Sequence, residues 1–176
     1  MKSGIIILAE LRGPARERVL EIQRRFDPKL AAAAPPHVTI AGSSGMGPIA
    51  TRTSEARLRE ALEPIARATA PITQRFLTPK RFMQTNVVVL PLNPNGPLRA
   101  LHERIKLSGL QFERPRFTFT PHVTLSFFRE LTAAEANALL ALRVVEPFTV
   151  DHISVHRTVS ITDSKKLLEF PLTGTP

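Results

Sequence analysis

His37-Val38-Thr39-Ile40 and, 85 residues further on, His122-Val123-Thr124-Leu125 are two copies of one short pattern, each directly preceded by proline. A β-strand places successive side chains on opposite faces. Each copy therefore sets an imidazole beside a hydroxyl on one face, His37 with Thr39 and His122 with Thr124. Two apolar residues, Val38 with Ile40 or Val123 with Leu125, anchor the other face. A separation of nearly half of the 176 residues predicts an internal duplication.

The flanking sequence predicts the same order of elements twice. In the first half, Gly4 to Ala9 is short and β-branched, a buried strand. From Pro14 to about Ala32, Val19, Leu20, Ile22, Phe26 and Leu30 recur at helical spacing. Pro35-Pro36 then forces extended chain into the first motif. Residues 41–50, with three glycines, predict a mobile loop. Thr53 or Ser54 caps a helix that reaches Ala70 with a break near Pro64, and Ile72 to Leu77 and Asn86 to Leu90 predict strands. The turn-rich stretch Pro91 to Pro97 predicts a boundary between lobes, 1–92 and 93–176, of a single bilobal domain in which strands exchange. Beyond it come a helix over 98–110, a strand over 117–128 carrying the second motif, and a helix from Thr132 to Leu142 opened by a capping box with Glu135. Phe148 to Val155 and Lys166 to Leu172 predict the closing strands.

Composition narrows the function classes. No cysteine is present, which excludes disulfides and thiolate zinc sites, and the apolar run Gly4 to Ala9 is too short to span a bilayer. The expectation is a cytoplasmic protein with no membrane contact. The net charge is +9, mostly from arginine, whose planar fork suits phosphate. Ten phenylalanines without tryptophan or tyrosine leave little material for a base-stacking platform.

Two histidines each beside a threonine suit phosphodiester chemistry. A neutral imidazole accepts a proton from an attacking hydroxyl, and a protonated one donates to the departing oxygen. Threonine hydroxyls donate to the non-bridging oxygens, where charge builds. That inventory calls for no cofactor and no metal, since neither histidine has carboxylates at ligand spacing. His102, His152 and His156 carry no repeat and are expected on the solvated surface. Arg75, Lys80, Arg81, Arg114, Arg116, Arg129 and Arg157 border the predicted strands as candidate phosphate contacts.

With His37-Val38-Thr39-Ile40 and Phe119-Thr120-Pro121-His122-Val123-Thr124-Leu125 as its motifs, the chain resembles the two-histidine (2H) phosphoesterase superfamily, which includes 2′-5′ RNA ligase-like proteins and cyclic phosphodiesterases. Phe82 before Val87-Val88-Val89 and the ending Leu168-Glu169-Phe170-Pro171-Leu172 also match, so the resemblance spans nearly the whole chain. It implies a bilobal duplicated α+β fold, with two antiparallel sheets lining a central cleft and helices outside. It implies His37 and His122 as catalytic residues and Thr39 and Thr124 as phosphate-binding residues; Arg81, Phe82, Arg129 and Arg157 are the candidate substrate contacts. The implied activity is metal-independent hydrolysis, or reversible formation, of 2′,3′-cyclic phosphate or 2′-5′ phosphodiester bonds in RNA ends or nucleotides, by a monomer. Two alternatives stand beside it: a basic RNA-binding module without catalysis, and a cyclic phosphodiesterase acting on a small metabolite. The glycine-rich stretch 41–50 is longer than the turn that the family often has there.

Overall fold

The computed structural model describes residues 3–83, 85–160 and 162–175. The elements run β1 (Gly4–Glu10), α1 (Gly13–Phe26), α2 (Pro28–Ala33), β2 (His37–Ala41), α3 (Glu55–Arg67), β3 (Ile72–Gln74), β4 (Lys80–Arg81) and β5 (Val88–Pro91). They continue with α4 (Pro97–Lys106), β6 (His122–Ser126), α5 (Ala133–Ala141), β7 (Phe148–Val150), β8 (His152–Ser160) and β9 (Asp163–Pro171). This is the α+β architecture expected, with two antiparallel sheets. The larger has seven strands in the order β4-β5-β6-β2-β1-β8-β9, and the smaller pairs β3 with β7. The larger sheet walls the cleft and is continuous across its middle, where β2 meets β6.

The duplication is written into the register. Along β1 and β2, Ile7 pairs with Ala41 and Leu8 with Thr39, which leaves Ile40 as an extra residue. Along β5 and β6, Val88 pairs with Ser126 and Val89 with Thr124, which leaves Leu125 extra. Each motif strand thus carries a bulge at its fourth residue, and both strands show the same alternation of half-buried and buried positions. A bulge re-aims the chain and disrupts the regular ladder locally, and each motif strand makes one more pairing past it, at Ala41 and Ser126, before it ends. The topology also crosses the midline: β8 pairs with β1, so strands late in the sequence complete the sheet around the first motif.

Ile5, Ile7, Val38, Ile40, Val123, Leu125, Ile153 and Val155 point to the opposite face from the motifs. They form one core with Leu58 and Leu62 of α3 and with Leu98, Leu101 and Ile105 of α4. Local signals fix the helix starts. Ser54 Oγ accepts from the Arg57 amide, and Thr132 with Glu135 forms the reciprocal capping box. Pro64 lies within α3 without ending it. The long first helix is broken at Asp27, whose carboxylate caps α2.

Three expectations are corrected. His102 is fully buried, stacked on Phe119 with ring centroids 3.8 Å apart, and its Nδ1 donates to the Ile40 carbonyl at 2.7 Å. His152 and His156 are buried as well: the register places the polar row His152-Ser154-His156-Thr158 on the same face of the sheet as the motifs, where Ser154 and His156 lie against Glu10 and Thr158 lines the pocket. Residues 41–50 are not a free loop. Ile5 and Ile49 exchange both backbone bonds, and Gly47 donates to the Glu113 carbonyl at 3.0 Å. Glycine is required at Gly45, where φ is +74° and an added Cβ would lie 2.3 Å from His102 Nε2.

Candidate active site

Val38 of β2 faces Val123 of β6. Continuing that antiparallel register by one residue each way sets His37 across from Thr124 and Thr39 across from His122. The two imidazoles are then diagonal neighbours on one face, about 7–8 Å apart in ordinary sheet geometry with their Cβ atoms somewhat closer. All four side chains line a single pocket of about 200 Å³. Leu30 of α2, Leu8 of β1 and Phe127 supply apolar wall, and Ser43, Thr158 and Ser164 supply hydroxyls.

Each ring is held the same way. His37 Nδ1 lies 2.8 Å from the Pro35 carbonyl oxygen, and His122 Nδ1 lies 2.7 Å from that of Thr120. A carbonyl only accepts, so Nδ1 carries the hydrogen in both rings and Nε2 is left for the pocket. The intervening prolines, Pro36 and Pro121, keep the preceding residue extended, which aims that carbonyl at the ring two residues on. Among the described residues, the hydroxyls of Thr39 and Thr124 and both Nε2 atoms bond no protein group.

Burial pushes both imidazoles below the ordinary histidine range. At His37 the Pro35 carbonyl and the Glu10 carboxylate work against it; at His122 the Thr120 carbonyl does so, while the charges of His37 and Lys80 add to it. Among the described residues no group of three histidine, cysteine or acidic side chains is placed to hold a metal ion.

Of the candidate substrate contacts, Phe82 sits edge-on to the His122 ring, centroids 5.0 Å apart. The arginines are not brought to the pocket. Arg81 is engaged by the Thr85 carbonyl and Asn86, Arg129 pairs with Glu135 at 2.6 Å, and Arg157 is exposed on the face of β8 opposite Thr158. Sequence reasoning missed Gln23, on the buried side of α1, and Asp27, at the break between α1 and α2. Gln23 Nε2 donates to the Thr124 carbonyl at 2.7 Å, and Asp27 Oδ2 accepts the amides of Phe127 and Phe128, both at 2.7 Å. Gln23 falls on the stripe Val19-Ile22-Phe26, where a polar residue signals a buried partner. Asp27→Ala removes the acceptor for three amides, counting the Leu30 cap. It is expected to cost roughly 3–4 kcal/mol in urea unfolding, with Asp27→Asn costing less.

A duplicated antiparallel sheet whose paired histidines and threonines share one pocket is the arrangement of the two-histidine phosphoesterases. More particularly, residues 11–161 match the model of the 2′-5′ RNA ligase superfamily, and the chain belongs to that family. A protein of Geobacillus kaustophilus that carries the provisional name of a phosphoesterase is 32% identical over 136 residues, 77% of this chain and 73% of that protein. Among solved structures, apo LigT of E. coli is similar with a TM-score of 0.64 at 16% identity, covering 97% of this chain and 98% of LigT. A protein of Thermus thermophilus is similar with a TM-score of 0.66 at 17% identity, covering 97% of this chain and 98% of that protein. LigT has also been solved with 3′-AMP, in a structure with a TM-score of 0.61 at 17% identity that covers 98% of this chain and 99% of LigT. Among the described residues no helix is long and apolar enough to cross a membrane.

Proposed function

We propose that the chain is a metal-independent phosphodiesterase that opens 2′,3′-cyclic phosphates with water, or reversibly with a ribose hydroxyl to form 2′-5′ bonds, at RNA ends or on nucleotides. His37 and His122 are its catalytic pair, and Thr39 and Thr124 bind the phosphate. The observation that carries this reading is the pocket in which two Nε2 atoms and two hydroxyls converge without protein partners. The 3′-AMP bound by LigT supports a nucleotide-sized ligand. The single-domain, two-lobed reading of the chain is part of the same proposal, supported by the matched bulges.

Water attacks phosphorus opposite the ring oxygen that leaves. One imidazole takes the water proton at Nε2 as the new P–O bond forms. The other gives its Nε2 proton to the departing oxygen as the old P–O bond breaks, leaving a phosphomonoester and a free hydroxyl. With the 5′-hydroxyl of a second ribose in place of water, the same displacement on the cyclic phosphate joins two ends through a 2′-5′ bond and frees the 3′-hydroxyl; its reverse cleaves that bond and restores the cyclic phosphate. The threonine hydroxyls donate to the non-bridging oxygens throughout. Solvent exchange returns each histidine to its starting state.

The test is a panel of 2′,3′-cyclic phosphates, from mononucleotides to oligonucleotides, assayed with EDTA. Undiminished turnover with chelator present is expected. Loss of turnover on chelation, restored by a divalent cation, overturns the metal-independent mechanism. Binding of RNA without turnover of any member, unchanged in His37→Ala, favours the non-catalytic module instead.

A further inference from the structure

The register that makes the two motifs equivalent also shows where equivalence ends. The residue directly across from His37 on β1 is Glu10; the residue directly across from His122 on β5 is Pro91. Directly opposed residues share a face with Cβ atoms about 4.5–5.5 Å apart, so His37 has a carboxylate neighbour that His122 lacks. The next strands out repeat the contrast. β8 places Ser154 and His156 beside Glu10, whereas the corresponding strand on the other side, β4, brings Lys80 toward His122.

Three donors meet at Glu10 Oε1: Lys166 Nζ at 3.1 Å, Ser154 Oγ at 3.3 Å and His156 Nε2 at 3.3 Å. Ser154 is fully buried and His156 nearly so. Burial alone raises a carboxyl, but the Lys166 hydrogen bond and charge, with His156 behind them, outweigh it and hold Glu10 below the usual carboxylate range. The carboxylate is thus ionised and its side chain fixed.

We infer, on the reading of the site as a phosphodiesterase, that Glu10 is a positioning residue that makes two otherwise equivalent histidines unequal, so that His37 carries the proton given to the leaving oxygen and His122 takes the proton of the attacking hydroxyl. The groups facing His37 are Glu10 from β1, His122 from β6 and His156 from β8, with Lys166 of β9 reaching it through Glu10. Those facing His122 are His37 and Lys80. A fixed anion on one side and a cation on the other separate the two titrations, with His37 above His122. The cation of Lys166 limits the effect, because it shares the carboxylate.

The sign follows directly. A proton donor is active below its pKa, so His37 sets the alkaline limb of kcat/KM, and a base is active above its pKa, so His122 sets the acidic limb. The test combines NMR titration of the histidine ring nitrogens with pH profiles on a 2′,3′-cyclic mononucleotide for the wild type, Glu10→Gln, Glu10→Asp and Lys166→Met. Glu10→Gln is expected to lower the His37 midpoint and the alkaline limb together by about one pH unit. The acidic limb should stay in place, and Glu10→Asp should restore most of the shift. Lys166→Met is expected to move the same limb upward, which keeps the test decisive if Glu10→Gln does not fold. A wild type in which His122 titrates above His37, or a Glu10→Gln variant whose His37 midpoint is unmoved, overturns the inference. A chain that turns over no cyclic phosphate sinks the proposed activity, and the ring titration still decides the role of Glu10.

Discussion

His37→Ala and His122→Ala are each expected to lower kcat on a 2′,3′-cyclic phosphate by about 10²–10⁴-fold, the range that a positioned acid or base contributes. Both side chains are half-buried and bond only the backbone two residues earlier, so melting temperatures should stay close to the wild type. The informative variant is the double mutant. Proton removal and proton delivery act on one phosphorus in one transition state, and residues that act as a unit are strongly non-additive. Removing both should cost within about tenfold of removing either. Multiplying losses in the double mutant would mean that the two imidazoles act in separate steps, or at separate sites. A single mutant that retains more than a tenth of wild-type turnover would remove that histidine from the mechanism.

The site was legible because its determinants are local. Alternation along five residues sets which side chains share a face, and a preceding proline fixes the carbonyl that orients each ring. The Thr132–Glu135 capping box was legible for the same reason. What escaped depends on contacts far apart in sequence. His152, Ser154, His156 and Thr158 alternate polar with apolar as a strand with one wet face would, and only the pairing of β8 with β1 turns that face into the cleft. The expected strand over 148–155 is split at Asp151 between two sheets for the same reason: β7 pairs with β3 and β8 with β1. His102 had a signal that went unread. It completes the helical stripe Leu98-Leu101-Ile105 on α4, and a histidine on that stripe is buried against the core. Glu10 lies just past the expected strand Gly4 to Ala9, and its meaning depends wholly on the register that sets it across from His37.

Thr39→Val and Thr124→Val are expected to lower kcat by about 10²–10³-fold each, the cost of losing one donor to a developing oxyanion. Valine keeps the shape and the β-branch, so the strand and its half-buried packing are preserved, and stability should be unchanged or slightly raised. The hydroxyl is the only group removed. Because it is directed at charge that grows toward the transition state, the loss should fall mainly on kcat, with KM rising only a few-fold. Thr→Ser at either position keeps the donor and should stay within about tenfold of the wild type. The two positions lie across from opposite histidines, Thr39 from His122 and Thr124 from His37. If each hydroxyl serves its own non-bridging oxygen, the double Thr→Val variant should lose close to the product of the single losses. That contrast with the histidine pair separates transition-state stabilisation, which adds in free energy, from a proton relay, which does not. A pair of valine variants with full kcat and only weakened affinity would reduce the threonines to ground-state phosphate binding.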